Sequence, residues 1–406
     1  MPHHPIRSSP ERTPTRAAII SAVGDGGISL IELSGPDAAP ILDRLFRSPR
    51  GRRLLHARAG KLYYGFLFRG GRQLDEVIVE CAQVEPYHKF VINCHGGQVA
   101  AHQILGALVA EGAREAEPAE RLALAEAEGD INAVQREAAL HLPRARTLRA
   151  AGMLLDQFRG ALAAHIAELR DALRRKPERS EEIVPRLDAL LRTFPYGAGL
   201  VEPASLVIAG RPNVGKSTLA NALLRCDRVI VHASPGTTRD VVEDYLSIRG
   251  VPFRLADTAG VRVARGKVER EGVERARRAL ACADIAILLF DGSESPREED
   301  ETVLTLARPP KFVAVVNKSD LPLRFPVEMI HRRLDTAPVM VSALTRAGMS
   351  QLEERILRVA YPDMPPPGAP VLFTERQAHL IREAADLCRA GRGVEADESL
   401  AAVVGP

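Results

Sequence analysis

The 406-residue chain contains no tryptophan, and aromatic residues make up only 4% of it. That scarcity argues against the stacking platforms on which single-stranded nucleic acids are held by their bases. Its five cysteines (Cys81, Cys94, Cys226, Cys282, Cys388) are scattered with no C-x-x-C pair. Reduced thiols in a cytosolic protein are the expectation, not a disulfide framework. Formal net charge is +3, too little to predict nucleic-acid binding by itself. A local basic run (Arg44, Arg47, Arg50, Arg52, Arg53, His56, Arg58, Lys61) reads as a solvated loop. No apolar run approaches the length of a membrane span, and the stretch 285–290 reads as a buried strand. The opening residues are rich in Pro, Ser and Arg without an apolar core, so they predict a disordered tail over 1–15 rather than a signal peptide.

What is present describes a globular chain of two or three domains, with 46% hydrophobic residues. From residue 16, two β-type runs flank Gly24-Asp25-Gly26-Gly27 and predict a hairpin. A helix over 37–46, strands over 61–68, 74–81 and 89–94, and a helix over 99–111 complete an N-terminal α+β domain, 16–115. Composition then shifts to Ala, Leu, Glu and Arg. Leu154, Phe158, Leu162, Ile166, Leu169 and Leu173 recur at helical spacing and predict the first part of a helical domain, 116–203. Residues 195–203, with two prolines and two glycines, read as a linker. An α/β segment occupies 204–361, a proline-dense linker 362–370, and a second helical part completes 362–406. The fold class is therefore an α/β P-loop domain with a mostly parallel sheet, inserted in a helical bundle behind an α+β domain. The two helical parts are expected to pack on each other.

The α/β segment opens on an apolar strand, Gly210-Arg211-Pro212-Asn213-Val214-Gly215-Lys216-Ser217-Thr218, and a helix. This G-x-x-x-x-G-K-[ST] pattern stands in the strand–loop–helix setting that lets backbone N–H groups face phosphate oxygens. Lys216 would reach the β/γ-phosphates and Ser217 would ligate Mg²⁺. Thr238, in Gly236-Thr237-Thr238-Arg239-Asp240, is the candidate for a second hydroxyl on Mg²⁺ and for closing over the γ-phosphate. Asp257-Thr258-Ala259-Gly260 follows, with Asp257 placed to hold Mg²⁺ through water and Gly260 to offer an N–H to the γ-phosphate. Next comes Asn317-Lys318-Ser319-Asp320, where the Asp320 carboxylate can accept from guanine N1–H and N2–H₂, groups adenine lacks. Asn317 would brace this loop, Lys318 would lie along the base, and the Ala343 N–H of Ser342-Ala343-Leu344 would face guanine O6. The order of these elements predicts a guanine-nucleotide-hydrolysing domain using GTP/GDP.

Gly-Arg-Pro-Asn-Val-Gly-Lys-Ser-Thr with Gly-Thr-Thr-Arg-Asp and Asp-Thr-Ala-Gly resembles the Era-like GTPases of the translation-factor class. The helical flanks, the Ile28-to-Pro36 segment and Cys94-His95-Gly96-Gly97 narrow the resemblance to the MnmE/TrmE tRNA-modification GTPases, over nearly the whole chain. That resemblance implies GTP hydrolysis coupled to wobble-uridine modification of tRNA, a tetrahydrofolate one-carbon donor, a flavoprotein partner and a homodimer. It also implies that Glu269, acting through water, replaces the usual Gln, whose position holds Val261, and that Asn213 ligates K⁺. The chain departs from the family pattern at its Cys-x-Gly-Lys tail, where it reads Ala401-Ala402-Val403-Val404-Gly405-Pro406, and in the segments 118–124 and 86–89 near the folate motifs. A GTP-driven switch or scaffold without the one-carbon chemistry is therefore the alternative. Ribosome assembly is a third reading, with no G-x-x-G clamp after the GTPase segment to support it. Cys388 reads as packing, and His95 as a turn residue or part of a remnant site.

Overall fold

Alternation decides the N-terminal sheet. In β2 (Ile28–Ser34) Ser29, Ile31 and Leu33 are buried while their neighbours are not, as the period-two pleat of a one-sided strand requires. A computed structural model describes residues 14–21, 27–224, 244–255, 283–306 and 311–405. It divides into two units, 1–127 and 128–406. In the first, β1 (Arg16–Ile19) pairs antiparallel with β2 in the predicted hairpin, Arg16 opposite Ser34. With β3 (Phe46–Arg47), β4 (Lys61–Arg69), β5 (Arg72–Gln83), β6 (Lys89–His95) and β7 (Arg114–Glu115) they form a seven-stranded sheet ordered β3-β4-β5-β6-β2-β1-β7. Its buried side chains, among them Leu67, Val79, Phe90 and Ile92, pack with Ile41 and Leu42 of α1 (Ala38–Leu45) and Ile104 and Leu108 of α2 (Gln98–Ala110). β4 turns into β5 at Gly70-Gly71, whose φ values of 57° and 80° suit glycine. The helix α3 (Pro118–Ala127), within the helical segment expected over 116–203, belongs to this unit: Glu120 accepts from both Arg16 and Arg114.

The second unit begins with α4 (Ala133–His141), α5 (Leu148–Phe158), α6 (Ala161–Arg175) and α7 (Val184–Val201). Asn132 and Gln135 form a reciprocal capping box at α4, and Thr147 caps α5. The predicted apolar stripe is the buried face, with Leu154, Leu162, Ile166, Leu169 and Leu173 in one core. The expected linker at 195–203 is mostly absent, because α7 continues through Pro195 to Val201. Its glycines serve close approach: a Cβ on Gly197 would meet the carbonyl oxygen of Leu372, and one on Gly199 the Tyr361 hydroxyl. Proline in a helix interior costs about 3 kcal/mol, here against a stretch whose Tyr196 and Leu200 are buried.

Next comes a six-stranded sheet ordered β13-β12-β11-β8-β10-β9, from β8 (Ala204–Ala209), β9 (Asp244–Ile248), β10 (Val251–Leu255), β11 (Ile285–Asp291), β12 (Phe312–Asn317) and β13 (Val339–Met340). Among the described residues only the β9–β10 pair is antiparallel. Every residue of β11 is buried, the unbroken apolar run of a parallel strand covered on both faces. The helices α8 (Lys216–Leu224), α9 (Glu298–Leu306), α10 (Val327–Leu334) and α11 (Met349–Ala360) belong to this layer. The chain then returns to the bundle as α12 (Glu375–Arg389) and α13 (Gly393–Val404). The expected packing of the two helical parts is seen: Gln377 Nε2 donates to Glu137 Oε2 at 2.7 Å, Arg170 pairs with Asp397 at 2.8 Å, and Ser180 Oγ donates to the Cys388 carbonyl at 3.1 Å. Cys388 is fully buried, and burial pushes its thiol up to about 11, so it is packing.

Candidate nucleotide site

Strands β8, β11, β12 and β13 run parallel, so their carboxyl ends share one edge of the sheet, where open α/β folds bind ligands. The loop Gly210–Gly215 leaves β8 there and enters α8. Asn213 has φ 63° and Gly215 φ 100°, left-handed values that bend the loop. A Cβ on Gly210 would meet the Leu289 carbonyl oxygen and one on Gly215 the Asn317 amide, so both glycines are required by contact, and Gly215 by its turn as well. Lys216 Nζ donates to the carbonyl oxygens of Gly210 and Arg211, each at 2.8 Å. Burial lowers the Lys216 ammonium from its ordinary value, and Arg211 adds repulsion. Ser217 and Thr218 stand exposed in the first turn of α8, and Val214 is fully buried beneath the loop.

Asn317 holds the site together. Its Nδ2 donates to the Val214 carbonyl at 2.8 Å, and its Oδ1 accepts the Ala343 N–H at 3.0 Å. One buried amide thus joins the phosphate loop to both halves of the base-reading edge. The Ala343 N–H, expected to face guanine O6, donates to Asn317 Oδ1, so a bound guanine would share it. Ser342 is buried, its N–H donating to the Ala347 carbonyl at 2.9 Å and its hydroxyl accepting from the Thr345 N–H at 3.1 Å. Leu344 is exposed, as is Asp320.

A second layer of charge lies under the loop. Lys318, at φ 63°, donates from Nζ to Asp291 Oδ2 at 2.6 Å. Asp291 is 1% exposed and its other oxygen accepts from the Ser293 N–H at 3.0 Å and hydroxyl at 2.7 Å. Burial works to raise this carboxyl, but the hydrogen bonds from Lys318 and Ser293 outweigh it and hold the group below the usual carboxylate range. Arg211, inside the phosphate loop, pairs with Glu294 at 2.8 Å and Asp300 at 3.2 Å, and lies 3.7 Å from Asp291. Burial raises the Asp300 carboxyl, which Arg211 and the Arg297 N–H only partly offset.

Two family models match the chain. "GTP-binding protein TrmE N-terminus" covers residues 15–122, and "50S ribosome-binding GTPase" covers 205–318. The tRNA modification GTPase MnmE of Geobacillus kaustophilus is 39% identical over 373 residues, 84% of this chain and 81% of that protein. MnmE of Bacillus subtilis is 35% identical over 378 residues, 86% of this chain and 82% of that protein. The chain belongs to the MnmE family. As a member it is a GTP-binding, GTP-hydrolysing enzyme built around a P-loop.

On this MnmE-family framework the predicted residues fall into two groups. At the carboxyl edge, Asn213, Val214, Gly215, Lys318, Asp320, Ser342, Ala343 and Leu344 lie in loops, Lys216, Ser217 and Thr218 in the first turn of α8, and Asn317 at the end of β12. Thr238, Asp257, Thr258, Ala259, Gly260 and Glu269 lie outside the described residues. Sequence reasoning missed Arg211, Asp291 and Asp300. Arg211 occupies a position the phosphate-loop pattern leaves free. Asp291 carried a usable signal: a carboxylate ending a strand that is otherwise wholly apolar. Among the described residues, no helix is long and apolar enough to cross a membrane.

Proposed function

We propose that this chain couples GTP hydrolysis to modification of the wobble uridine of tRNA, acting in the cytoplasm as a homodimer with a flavoprotein partner. In this reading 16–115 serves dimerisation, 204–361 is the motor, and the helical parts 116–203 and 362–406 carry its motion. The observation that supports it most is the Asn317 amide joined to both Val214 and Ala343, since a base-reading edge fixed to a phosphate loop is what a guanine-nucleotide switch needs. Its family relatives are named for tRNA modification.

The residues present suit the ions the reading requires. Ser217 offers a hydroxyl oxygen of the hard class Mg²⁺ takes, exposed at the start of α8, and Asn213 offers an exposed amide oxygen for K⁺. Thr238 and Asp257 would complete the Mg²⁺ set. When bound, the ions neutralise charge on the phosphoryl oxygens. Lys216 grips the β- and γ-phosphates, the Gly260 N–H steadies the γ-phosphate, and Glu269 orients the attacking water for in-line displacement. A tetrahydrofolate derivative is the one-carbon donor the family resemblance implies. His95 is not assigned to it: its Nδ1 lies 2.6 Å from Asp75 Oδ1 and its N–H donates to Asp75 Oδ2 at 2.8 Å, so Asp75 fixes the ring.

Mass spectrometry of tRNA nucleosides tests this reading. A strain lacking this chain should lose a wobble-uridine modification, and the chain supplied in trans should restore it. Unchanged nucleosides in the deletion strain would leave the GTPase without its proposed purpose.

A further inference from the structure

Between residues 44 and 74 the chain carries nine Lys or Arg residues and no Asp or Glu. Whole-chain net charge is only +3, so this segment concentrates more positive charge than the protein as a whole and leaves the remainder net negative. The segment is the end of α1, β3, the loop that follows it, β4, and the turn into β5 with that strand's first residues, at the β3 end of the seven-stranded sheet.

The structure shows which of these cations are already engaged. Arg53 pairs with the buried Asp43, and Arg44 with Glu111 at 2.6 Å. Arg47 donates only to backbone carbonyls, those of Arg44 at 3.0 Å and Phe46 at 2.8 Å among them. Arg50, Arg52, Arg58, Lys61, Arg69 and Arg72 are exposed and have no ion-pair partner among the described residues. Uncompensated like charges repel, so a cluster of this kind is held at an electrostatic cost unless an anion meets it. Arg69 and Lys61 mark opposite ends of the nine-residue β4, about 27 Å apart at strand rise. Phe46 and Arg47 pair with Leu67 and Phe66, so the loop carrying Arg50 and Arg52 follows this border. At the Arg69 end, Arg44, Arg47, Arg69, Gly70 and Gly71 line a depression of about 310 Å³ with Glu111.

We propose that this border of the N-terminal unit is the docking surface for the tRNA backbone. The inference rests on the tRNA reading above and deepens it by naming where the partner is held. A row of unpaired guanidinium groups about a strand's length long fits consecutive phosphates, which Arg contacts bidentately. With Trp absent and Tyr64 the one aromatic in the segment with its side chain half exposed, recognition is by backbone charge. It is therefore salt-dependent and indifferent to base sequence.

The test is binding of labelled unmodified tRNA to the full-length chain across about 50 to 200 mM KCl, the range in which phosphate contacts weaken steeply. Arg47, Arg50, Arg52 and Arg69 are replaced together by Ser; Arg192, Arg332, Arg333 and Arg382, exposed elsewhere, are replaced together as the control. The border variant should lose roughly tenfold or more in affinity, with its log–log salt slope shallower by about 3, since each phosphate contact removes about 0.7 to 0.9. Its GTP hydrolysis should match the wild type, which also shows that it folds. If the quadruple variant does not fold, Arg50→Glu with Arg52→Glu decides by the same two readouts. Equal affinity and slope in border and wild-type proteins would overturn the proposal. So would binding to anionic phospholipid vesicles with none to tRNA. Unchanged nucleosides in a deletion strain with border-dependent tRNA binding intact would sink the modification reading alone, whereas normal modification with an unaffected border variant would sink only this one.

Discussion

Replacing Asn317 by Ala isolates the contact on which the nucleotide site is organised. The substitution removes the donor to the Val214 carbonyl at 2.8 Å and the acceptor of the Ala343 N–H at 3.0 Å. Asn317 is 3% exposed, so water does not readily replace either bond. A buried polar group left without a partner costs about 1–3 kcal/mol, and two of them give about 2–4 kcal/mol if the pocket relaxes partly. Part of this falls on stability and the rest on the geometry of both loops. If most of it falls on binding, GTP affinity drops by roughly 30-fold or more, at 1.4 kcal/mol per factor of ten. Asn317→Asp sharpens the test: it keeps an acceptor for Ala343 but sets a carboxylate oxygen against the Val214 carbonyl, so it should be no better than Ala. Displacement of a fluorescent GDP from purified protein, with melting curves in parallel, reads both components. An Asn317→Ala protein with wild-type melting and GTP affinity within about threefold of normal would refute the bracing argument.

Other substitutions probe other parts of the same reasoning. Asp291→Asn weakens the anchor of Lys318 and one neighbour of Arg211, and should raise the dissociation constant for GTP by about tenfold, as loss of a charged hydrogen bond predicts; an unchanged constant in a titration calorimeter would contradict it. Gly199→Ala drives a methyl group into the Tyr361 hydroxyl and should lower stability by about 1–3 kcal/mol, measured by urea unfolding; a neutral effect would show that α7 does not need that close approach. Asp397, against Arg170 and Arg174, is pulled up by burial but pulled down further by those two partners, and ends below the usual carboxylate range. Its stabilisation is complete above the unfolded value of about 3.9 and is lost as pH falls through the lower folded value. Melting temperature should therefore decline below about pH 4, less steeply in Asp397→Asn than in the wild type; identical acid limbs would remove this pair from the account.

Where the sequence was legible, a residue type is tied to one physical task. Gly210 and Gly215 accept close contacts, with the Leu289 carbonyl and the Asn317 side-chain amide, that no side chain permits, and the apolar runs of β8, β11 and β12 are what a doubly covered parallel strand requires. The helical stripe from Leu154 to Leu173 was readable because its period is that of the buried face. Composition misled at 195–203, where proline and glycine suggest a linker. Gly197 and Gly199 are instead small because Leu372 and Tyr361 press against them, and a partner more than 150 residues away leaves no local trace. The two-residue strands β3 and β7 are too short to show a period. Arg211, Asp291 and Asp300 were hidden for another reason: each looks like an ordinary charge until burial and mutual distance reveal that they lie together under the phosphate loop. Ala343 shows the same limit at the scale of one bond, since only coordinates reveal that Asn317 already takes its N–H.

The central claim is that a loop of main-chain amides and Lys216 grips a triphosphate while Asp320, fixed through the Asn317 brace, selects guanine. Competition binding in magnesium and potassium buffer tests it most directly, with labelled GDP displaced by unlabelled GTP or ATP. The account predicts full displacement by GTP and none by ATP at the same concentration, with Asp320→Asn transferring preference toward xanthine nucleotides. Equal displacement by ATP, or GTP affinity undiminished in Asp320→Asn, would contradict it.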